Sequence, residues 1–366
     1  MRIVFRKRTS ISRTATILVP ILSFLIAIIL GSILLLITGV NPIETYVAMA
    51  RGTFGSSSAF AETMVVAIPL MLTGFSVAIA FRMRFWNIGA EGQLVLGGIA
   101  GAGVALFLSD FIPDVLLLPV IILAGMLAGA LWAGIPAVLK AYLGVDETLT
   151  TLMLNYVAIL FSSYLYFGAW RDPMGFGFPG TARFPEAAWL PRIFGRMHYG
   201  LIFAIIAGLI LWFVFERTRW GFELKIIGEN QSAAEYLGIR IARNIVLAIL
   251  LSGALSGLAG VSQVTGVARR LQEGLAVGHG FTAIIVAWLA RLNPIIIFFV
   301  AVLMAALQVG GDQVQMRMGL PSAVGLVLQG LILFPMLAGS LFTEYKLEII
   351  RKEPKAEAQI DLESAS

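Results

Sequence analysis

The chain has 366 residues, of which 59% are hydrophobic and only 13% are charged. A soluble domain carries about 25% charged residues, so this chain cannot cover a globular surface, and a cytosolic enzyme is excluded. It contains no cysteine, which excludes disulfides and thiolate chemistry, and its two histidines, His198 and His279, argue against a histidine-rich metal site. The composition predicts a polytopic membrane protein whose net charge of +5 reflects topology rather than nucleic-acid binding.

The N-terminus places five cations, ending at Arg13, ahead of an apolar run from Ile17 to Ile37. Because this run has about 20 residues and no small-residue cleavage site follows it, it predicts a retained membrane helix rather than a signal peptide. Similar runs predict an all-α membrane domain over residues 16–341, with about ten transmembrane helices. The predicted spans are 16–38, 62–81, 92–109, 114–138, 148–169, 199–215, 244–266, 281–291, 294–311 and 320–341.

The distribution of positive charge predicts the orientation of these spans. Of the 26 Lys and Arg residues, 18 fall on the side of the N-terminus, which leaves 8 on the other side. The positive-inside rule therefore predicts that the basic segment 1–15 and the tail 342–366 are cytoplasmic. The loop 216–243 then lies inside and the loop 170–198 outside, as does the Gly- and Ser-rich stretch 39–61, in which a surface helix is predicted.

Small residues recur at four-residue spacing within the predicted spans, a pattern that lets helix backbones approach closely. The pairs are Gly97 and Gly101, Gly125 and Gly129, and Gly253 and Gly257. We interpret them as sites of tight helix packing with no direct role in transport.

The second and seventh spans, each with three following spans, can be laid over each other, which predicts an inverted repeat. The span that opens with Asn87 to Gln93 then corresponds to the one that opens at Gly278 and ends at Arg291. The latter has about 11 apolar residues, or about 16 Å of helix, which is half a bilayer. A broken or re-entrant helix is predicted there.

The motifs bear on how transport would be driven. No P-loop pattern occurs, so the phosphate cradle of an ATPase is absent. Acids are almost missing from the middle of the spans, which disfavours proton or sodium coupling. An ion-coupled secondary transporter stays an alternative, as does an intramembrane transferase, although the paired carboxylates or metal motif that a transferase would need are not found.

The inside loop contains signals for one short helix. Asn230 is a good N-cap and Gly238 a good C-cap glycine, and turns are predicted at Gly221 and Gly228 on the N-terminal side. A helix of about two turns cannot hold alone in water, so it needs a partner surface, a lipid surface or its own loop.

The spaced pattern from Thr218 to Ile239 resembles the coupling-helix segment of ribose-type ABC importer permeases, within the ribose/branched-chain-amino-acid-type permease family. The stretch Phe85 to Gln93, Phe-Trp-Asn-Ile-Gly-Ala-Glu-Gly-Gln, resembles the signature of its nucleoside and simple-sugar branch, which depends on basic-membrane-protein-type binding proteins. The stretches 147–156, 278–294 and 310–333 are also similar to that branch. Trp86 and Ala290 depart from its pattern.

The resemblance implies a type II ABC importer permease that is not an enzyme and holds no cofactor itself, because ATP is bound by a partner ATPase. Further implied partners are a second permease, a shorter paralogue, and an extracytoplasmic substrate-binding protein; nucleic acid is not one. The implied location is the prokaryotic plasma membrane, and the implied substrates are nucleosides or simple sugars.

Three groups of site residues are predicted. Those that the resemblance implies couple to the ATPase are Gly221, Lys225, Gly228, Asn230, Ala233, Ala234 and Gly238. Glycine-rich broken backbone is tolerated at membrane depth where protein or water satisfies it, so the residues expected near the translocation pathway are Asn87, Glu91, Gln93, Asn155, His279 and Phe281. The alternative for Glu91 is that it caps the helix that follows it. Those expected to meet acidic groups of the implied binding protein are Arg171, Arg183, Arg192, Arg196, Arg269 and Arg270, whose alternative is contact with lipid headgroups or water.

Overall fold

The computed structural model describes residues 2–7, 13–319, 327–328, 330–331, 334–335, 338–339 and 345–350. In chain order the regular elements are β1 (Arg2–Lys7), α1 (Arg13–Ile37), α2 (Pro42–Phe54), α3 (Ser57–Arg82), α4 (Ala90–Phe107), α5 (Asp114–Leu143), α6 (Glu147–Tyr164), β2 (Arg192–Phe194), β3 (Met197–His198), α7 (Gly200–Arg217), α8 (Arg219–Glu229), α9 (Gln231–Tyr236), α10 (Ile241–Val261), α11 (His279–Leu289), α12 (Pro294–Met318) and β4 (Tyr345–Ile350). Helices α6 and α10 continue as π-helix over Leu165–Ala169 and Ser262–Ala268.

The chain divides into two compact units. The first comprises Met1–Pro42 and Gly330–Ser366. It contains α1 and the antiparallel strands β1 and β4, in which Arg2 lies opposite Ile350. The second unit, Ile43–Gln329, holds the other elements. The two-stranded pairs β1–β4 and β2–β3 were not predicted from the sequence, which indicated helices alone.

Within the described residues, seven helices are long and apolar enough to cross a membrane, or eight if Leu25–Ile37 and Pro42–Phe54 form one broken span. The seven are α3, α4, α5, α6 with its π extension, α7, α10 with its π extension, and α12. Each overlaps a predicted span, so the multi-pass helical architecture is confirmed. The predicted span 320–341 lies largely outside the described residues, as does the end of the predicted tail.

Helix α11 has 11 residues, too few to cross a bilayer, as the sequence predicted for this segment. It begins at His279 rather than at residue 281, because Gly278 adopts a left-handed conformation with φ of 91° and so ends the preceding loop. The predicted surface helix in the stretch 39–61 corresponds to α2.

Glycines let α4, α5 and α10 pack with their backbones in contact. A Cβ added at Gly129 would collide with the Gly253 carbonyl oxygen, and one at Gly257 would collide with that of Gly125. Gly257 also contacts α4, because a Cβ at Gly97 would overlap the Gly257 Cα. The interpretation of the glycine pairs as tight packing sites is therefore confirmed at this three-helix junction.

Candidate functional site

The short helix α11 starts against the first turn of α4, and Glu91 joins the two. Its carboxylate accepts hydrogen bonds from the backbone N–H of Gly278, at 2.8 Å, and from that of Gly280. A Cβ at Gly280 would collide with the Glu91 backbone, so only glycine allows this approach. The buried carboxylate thus caps the N-terminus of α11, where the helix dipole favours a negative charge.

Asn87 and Gln93 form a reciprocal amide pair in the segment that leads into α4. Each side-chain NH2 group donates to the other's carbonyl oxygen, at 3.2 and 3.0 Å. The Asn87 amide also donates to the Ser252 hydroxyl on α10, at 3.1 Å. Both amides are fully buried, so the pair fixes this segment onto α10.

Asn155 fastens α6 to the same segment. Its carbonyl oxygen accepts from the backbone N–H of Gly92 at 2.8 Å, and its NH2 group donates to the Ile88 carbonyl at 2.7 Å. The start of α4 is therefore held from three sides, by α6, α10 and α11.

His279 and Phe281 lie on α11 itself. His279 is buried, and its Nε2 lies 3.2 Å from the Gln263 amide nitrogen, which can only donate, so the imidazole accepts at Nε2. Phe281 is exposed. The structure thus gathers the six predicted pathway residues around the starts of α4 and α11, five of them buried.

Three serines on α3 and α10 adjoin the amide pair of Asn87 and Gln93, and the sequence analysis missed them. The Ser76 hydroxyl on α3 lies 2.8 Å from the hydroxyls of both Ser252 and Ser256 on α10, and Ser252 also donates to the Ser76 carbonyl. The i, i+4 spacing of Ser252 and Ser256 places them on one helix face, and this is the signal that could have found them.

On the side where α3 and α7 end, the chain forms α8 and α9. The predicted turns at Gly221 and Gly228 are wrong, because both glycines lie inside α8. A Cβ at Gly221 would collide with the Val214 carbonyl, and one at Gly228 with the Arg82 carbonyl. These glycines serve close packing of α8 on α7 and α3 rather than chain reversal.

The predicted short helix is confirmed as α9. The Asn230 side chain accepts from the Ala233 N–H at 3.2 Å, and Gly238 takes a left-handed φ of 73° after the helix ends. Ala233 is half-buried and Ala234 is fully buried against its own chain. The exposed apolar side chains here are Tyr236, at 94%, and Leu237, at 63%.

Polar side chains hold α8 against α10. The Trp220 indole N–H donates to the Asn244 carbonyl oxygen at 2.8 Å, and the Asn244 NH2 group donates to Glu223 at 3.1 Å. Lys225 lies on the exposed side of α8, 3.8 Å from Glu229. Helix α8, which we call the platform because α9 follows directly from it, is therefore fixed to the membrane helices.

Three of the six predicted docking arginines, Arg183, Arg196 and Arg270, line one cavity of about 290 Å³. Arg196 also pairs with Glu62 at 2.9 Å, and Arg270 donates to Gln272. Arg171 follows the π extension of α6 and does not line this cavity.

Arg269 stacks on the Trp189 ring, with its guanidinium carbon 3.8 Å from the ring centre. Loss of hydration, followed by the cations Arg192 and Arg183, lowers the pKa of Arg269. Nearby, His198 on β3 is buried, and its Nδ1 accepts from the Gly200 N–H at 3.2 Å. Burial, followed by the charge of Arg192, lowers the pKa of His198 from 6.5 to about 4.

Buried acids in the described part of the chain are Glu91 and Glu147. Backbone N–H groups satisfy Glu91, and the Lys140 ammonium lies 2.7 Å from Glu147. Neither carboxylate has the free, water-lined setting expected of an ion-coupling site. Within the same residues, no group of three or more potential metal ligands is found.

Comparison with known proteins identifies the family. The family described as branched-chain amino acid transport system / permease component matches residues 59–337. The glucose ABC transporter permease protein of Haloferax volcanii is 36% identical, over 90% of this chain and 89% of its own. The guanosine ABC transporter permease protein of Bacillus subtilis is 32% identical, over 88% and 94%. The nucleoside ABC transporter permease protein of Lactococcus lactis is 33% identical, over 95% and 96%.

These matches extend over the packed helices, the network at α4 and α11, and the α8–α9 platform. An ABC permease is not an enzyme, and the family implies a membrane, a separate ATPase and a substrate-binding protein as its partners. The chain therefore belongs to the permease-component family of branched-chain amino acid transport systems, as a multi-pass permease subunit of an ABC importer.

Proposed function

We propose that this permease imports nucleosides or simple sugars. The observation that carries the proposal is that the three relatives are named for guanosine, nucleosides and glucose while aligning over 88% or more of this chain. The signature from Phe85 to Gln93 favours the same substrates. The assembled transporter should take up labelled guanosine or labelled glucose, whereas uptake of labelled leucine without uptake of either of these would contradict the proposal.

The proposed topology has ten spans in a prokaryotic plasma membrane, with segments 1–15, 216–243 and 342–366 in the cytoplasm and loop 170–198 outside. The native chain lacks cysteine, so single cysteines report the side of the membrane. Thr181 is only 1% exposed and is a poor reporter, whereas Met174 is 84% exposed. Ser232→Cys should label only from the cytoplasm and Met174→Cys only from outside; labelling of both from one side would overturn this topology.

The proposed inverted repeat pairs α3 with α10 and α4 with α11. In support, α4 and α11 begin beside each other and share Glu91 as a link. We place the translocation pathway along these broken helix starts, because irregular backbone at membrane depth is tolerated where protein or water satisfies it. The residues proposed to border the pathway are Asn87, Glu91, Gln93, Asn155, His279 and Phe281.

A role of these residues in the pathway can be distinguished by experiment from a purely structural role. Glu91→Gln leaves one of the two N–H groups of α11 without a carboxylate oxygen, so we expect thermal stability to fall slightly and uptake to fall by more than the loss of inserted protein. The exposed residue Phe281 gives the matched test, because Phe281→Ala removes no hydrogen bond. If both variants transport at the wild-type rate per inserted molecule, these residues do not border the pathway.

The proposed contact with the ATPase is α9 and the platform beneath it. Gly221, Gly228 and Asn230 shape the platform, Gly238 ends α9, and Tyr236 and Leu237 offer exposed apolar surface. Ala234 is buried, whereas Lys225 and Asn230 are exposed and Ala233 is half-buried, so these three predicted coupling residues have side chains that reach the surface. A helix of 6 residues is held mainly by what it packs on, so its shape should matter more than its charge.

Three substitutions test this contact. Ala233→Trp and Tyr236→Ala should reduce co-purification of the ATPase and ATP-dependent uptake, while membrane insertion is unchanged. Glu235→Gln is the control and should act weakly, because an exposed charge contributes only about 0–1 kcal/mol. If Ala233→Trp and Tyr236→Ala both retain the ATPase, α9 is not the contact.

Acidic groups of the binding protein are proposed to contact Arg183, Arg196 and Arg270, which line one cavity. Arg171, Arg192 and Arg269 do not line this cavity and are proposed as further contacts of the binding protein. The double variant Arg183→Gln/Arg270→Gln should weaken binding-protein association, more so at low salt, because surface charge attraction is screened by ions. The second permease, a shorter paralogue, should co-purify with both the wild type and this variant.

A further inference from the structure

A second cationic cavity, of about 550 Å³, lies where α3, α7 and α11 end and α8 begins. Its cations come from separate segments of the chain: Arg82, Arg84, Lys225 and Arg291, against the two acids Glu216 and Glu229. The cavity lies on the side that the charge distribution makes cytoplasmic. The proposed ATPase contact uses Lys225 and Gly228, which line one wall of this cavity, but neither Arg84 nor Arg291 has a role in the proposals above.

Two of these arginines lack acidic partners. Arg82 lies 3.9 Å from Glu216 and donates to the Phe215 carbonyl at 3.1 Å, and Lys225 lies beside Glu229. In the described residues, Arg84 and Arg291 form no ion pair and are exposed. The cavity therefore keeps two uncompensated positive charges at its rim.

The same two arginines occupy backbone positions that favour glycine. Arg84 and Arg291 follow the ends of α3 and α11 with φ of 56° and 50°. A non-glycine residue in this left-handed region is disfavoured, and helices commonly place glycine there. A cation near a helix C-terminus gains from the dipole, but that gain is available in the last turn without a positive φ. Both helix ends thus keep arginine at the cavity despite its conformational cost.

An apolar groove lies beside α3 and α7, the two helices that also line the cationic cavity. It measures about 250 Å³ and is lined by Phe75, Gly208, Leu209, Pro294, Ile295 and Phe299, among others. On α7, Gly208 in the groove lies seven residues, or about 10 Å, from Phe215 in the cationic cavity, and residues seven apart lie on the same helix face. On α3, Phe75 in the groove is likewise seven residues from Arg82 in the cavity. Cavity and groove therefore lie along the same faces of α3 and α7 and together define one crevice.

Two tryptophans flank the cationic end of this crevice. Trp86 and Trp288 stack with ring centres 6.0 Å apart, and Phe81, which lines the cavity, contacts both. Both indoles are about half exposed. Tryptophan is enriched at the level of lipid headgroups. The pair therefore indicates that the cationic end of the crevice lies at that level.

We propose that the crevice binds one anionic phospholipid of the cytoplasmic leaflet. The headgroup phosphate lies in the cavity between Arg84 and Arg291, and an acyl chain lies in the groove between α7 and α12. The phosphate provides the negative charge that would pair with Arg84 and Arg291. The cytoplasmic leaflet contains anionic lipids that carry such a phosphate. The inference needs only the orientation in the membrane, so it does not depend on the substrate proposed above.

The test counts lipids retained by the assembled transporter, ATPase included, after release from nanodiscs of mixed phosphatidylglycerol and phosphatidylcholine into native mass spectrometry. Arg84→Gly/Arg291→Gly removes both rim charges and relieves both positive-φ positions, so the thermal stability of delipidated protein should not fall. Each basic residue near an anionic lipid contributes about fivefold in affinity, so retention of phosphatidylglycerol should weaken about 30-fold. Arg84→Gln/Arg291→Gln should weaken it similarly.

The matched control is Arg240→Gln/Arg243→Gln, which removes the same charge from a different cavity near the same side and should retain the lipid. A large excess of inorganic phosphate should not displace the lipid; displacement would show an anion site without a lipid. Equal retention of phosphatidylcholine, or wild-type retention by both rim variants, would overturn the proposal. So would an absence of bound lipid in the assembled transporter, because the ATPase would then be the occupant of this face.

Discussion

The membrane core and the water-facing ends of this permease are held together by different means. At the junction of α4, α5 and α10, glycines remove side chains so that backbone packs on backbone. At the ends, side chains make the connections, as Trp220, Asn244 and Glu223 do on the α8 side. Substitutions in the core should therefore act on folding, whereas the effects of substitutions at the ends should depend on pH, salt and partners.

The largest effect should come from filling the core junction. Gly129→Leu would push a side chain into the Gly253 carbonyl, for which no rotamer offers an escape, so we expect a loss of more than about 3 kcal/mol and little folded protein. Size-exclusion recovery and thermal unfolding in detergent measure this. Gly168→Ala is the control, because a Cβ there meets nothing within 4 Å. Normal recovery of Gly129→Leu would mean that the close packing is dispensable.

A smaller effect is expected from the buried histidine on β3, His198. The pKa of His198 is lowered to about 4 in the fold, so the unfolded chain binds a proton first as the pH falls below 6.5. The contribution of neutral His198 to the free energy of unfolding is therefore fully present above pH 6.5. It is lost as the pH falls towards 4, which lowers the free energy of unfolding by up to about 3 kcal/mol. Thermal unfolding of wild type and His198→Leu across this range should show a steeper loss for the wild type. Parallel curves would contradict the assignment.

The smallest effect should come from the exposed pair Arg196–Glu62, which joins the β2–β3 turn to α3. Arg196→Gln should cost about 0–1 kcal/mol at low salt and nothing measurable at high salt, because water and ions screen the pair. Unfolding measured at two salt concentrations checks this. A loss that persists at high salt would indicate that this end is held more like the core.

Local features of the fold could be predicted from the sequence because their causes lie close together in the chain. The apolar runs predicted the seven long helices, and Asn230 and Gly238 predicted both ends of α9. Gly221 and Gly228 misled the prediction, because a glycine that permits close approach looks the same in one sequence as a glycine in a turn.

Contacts between distant parts of the chain could not be predicted. The hydrogen bond from Gly278 to Glu91 joins residues 187 positions apart, and that between Ser76 and Ser252 joins residues 176 apart. The glycine-rich broken backbone around both residues placed Glu91 and His279 in one predicted group, but their actual partners depend on how α4, α10 and α11 pack. The π extensions of α6 and α10 likewise have no local sequence signal.

The energy for transport reaches this chain from a separate ATPase. This is tested by uptake of labelled guanosine or labelled glucose, whichever the transporter accepts, into proteoliposomes that contain the assembled transporter, with its binding protein outside. We predict that uptake requires ATP on the ATPase side and persists with a protonophore and without sodium. Uptake by this chain and its paralogue without the ATPase, abolished by the protonophore, would contradict the account.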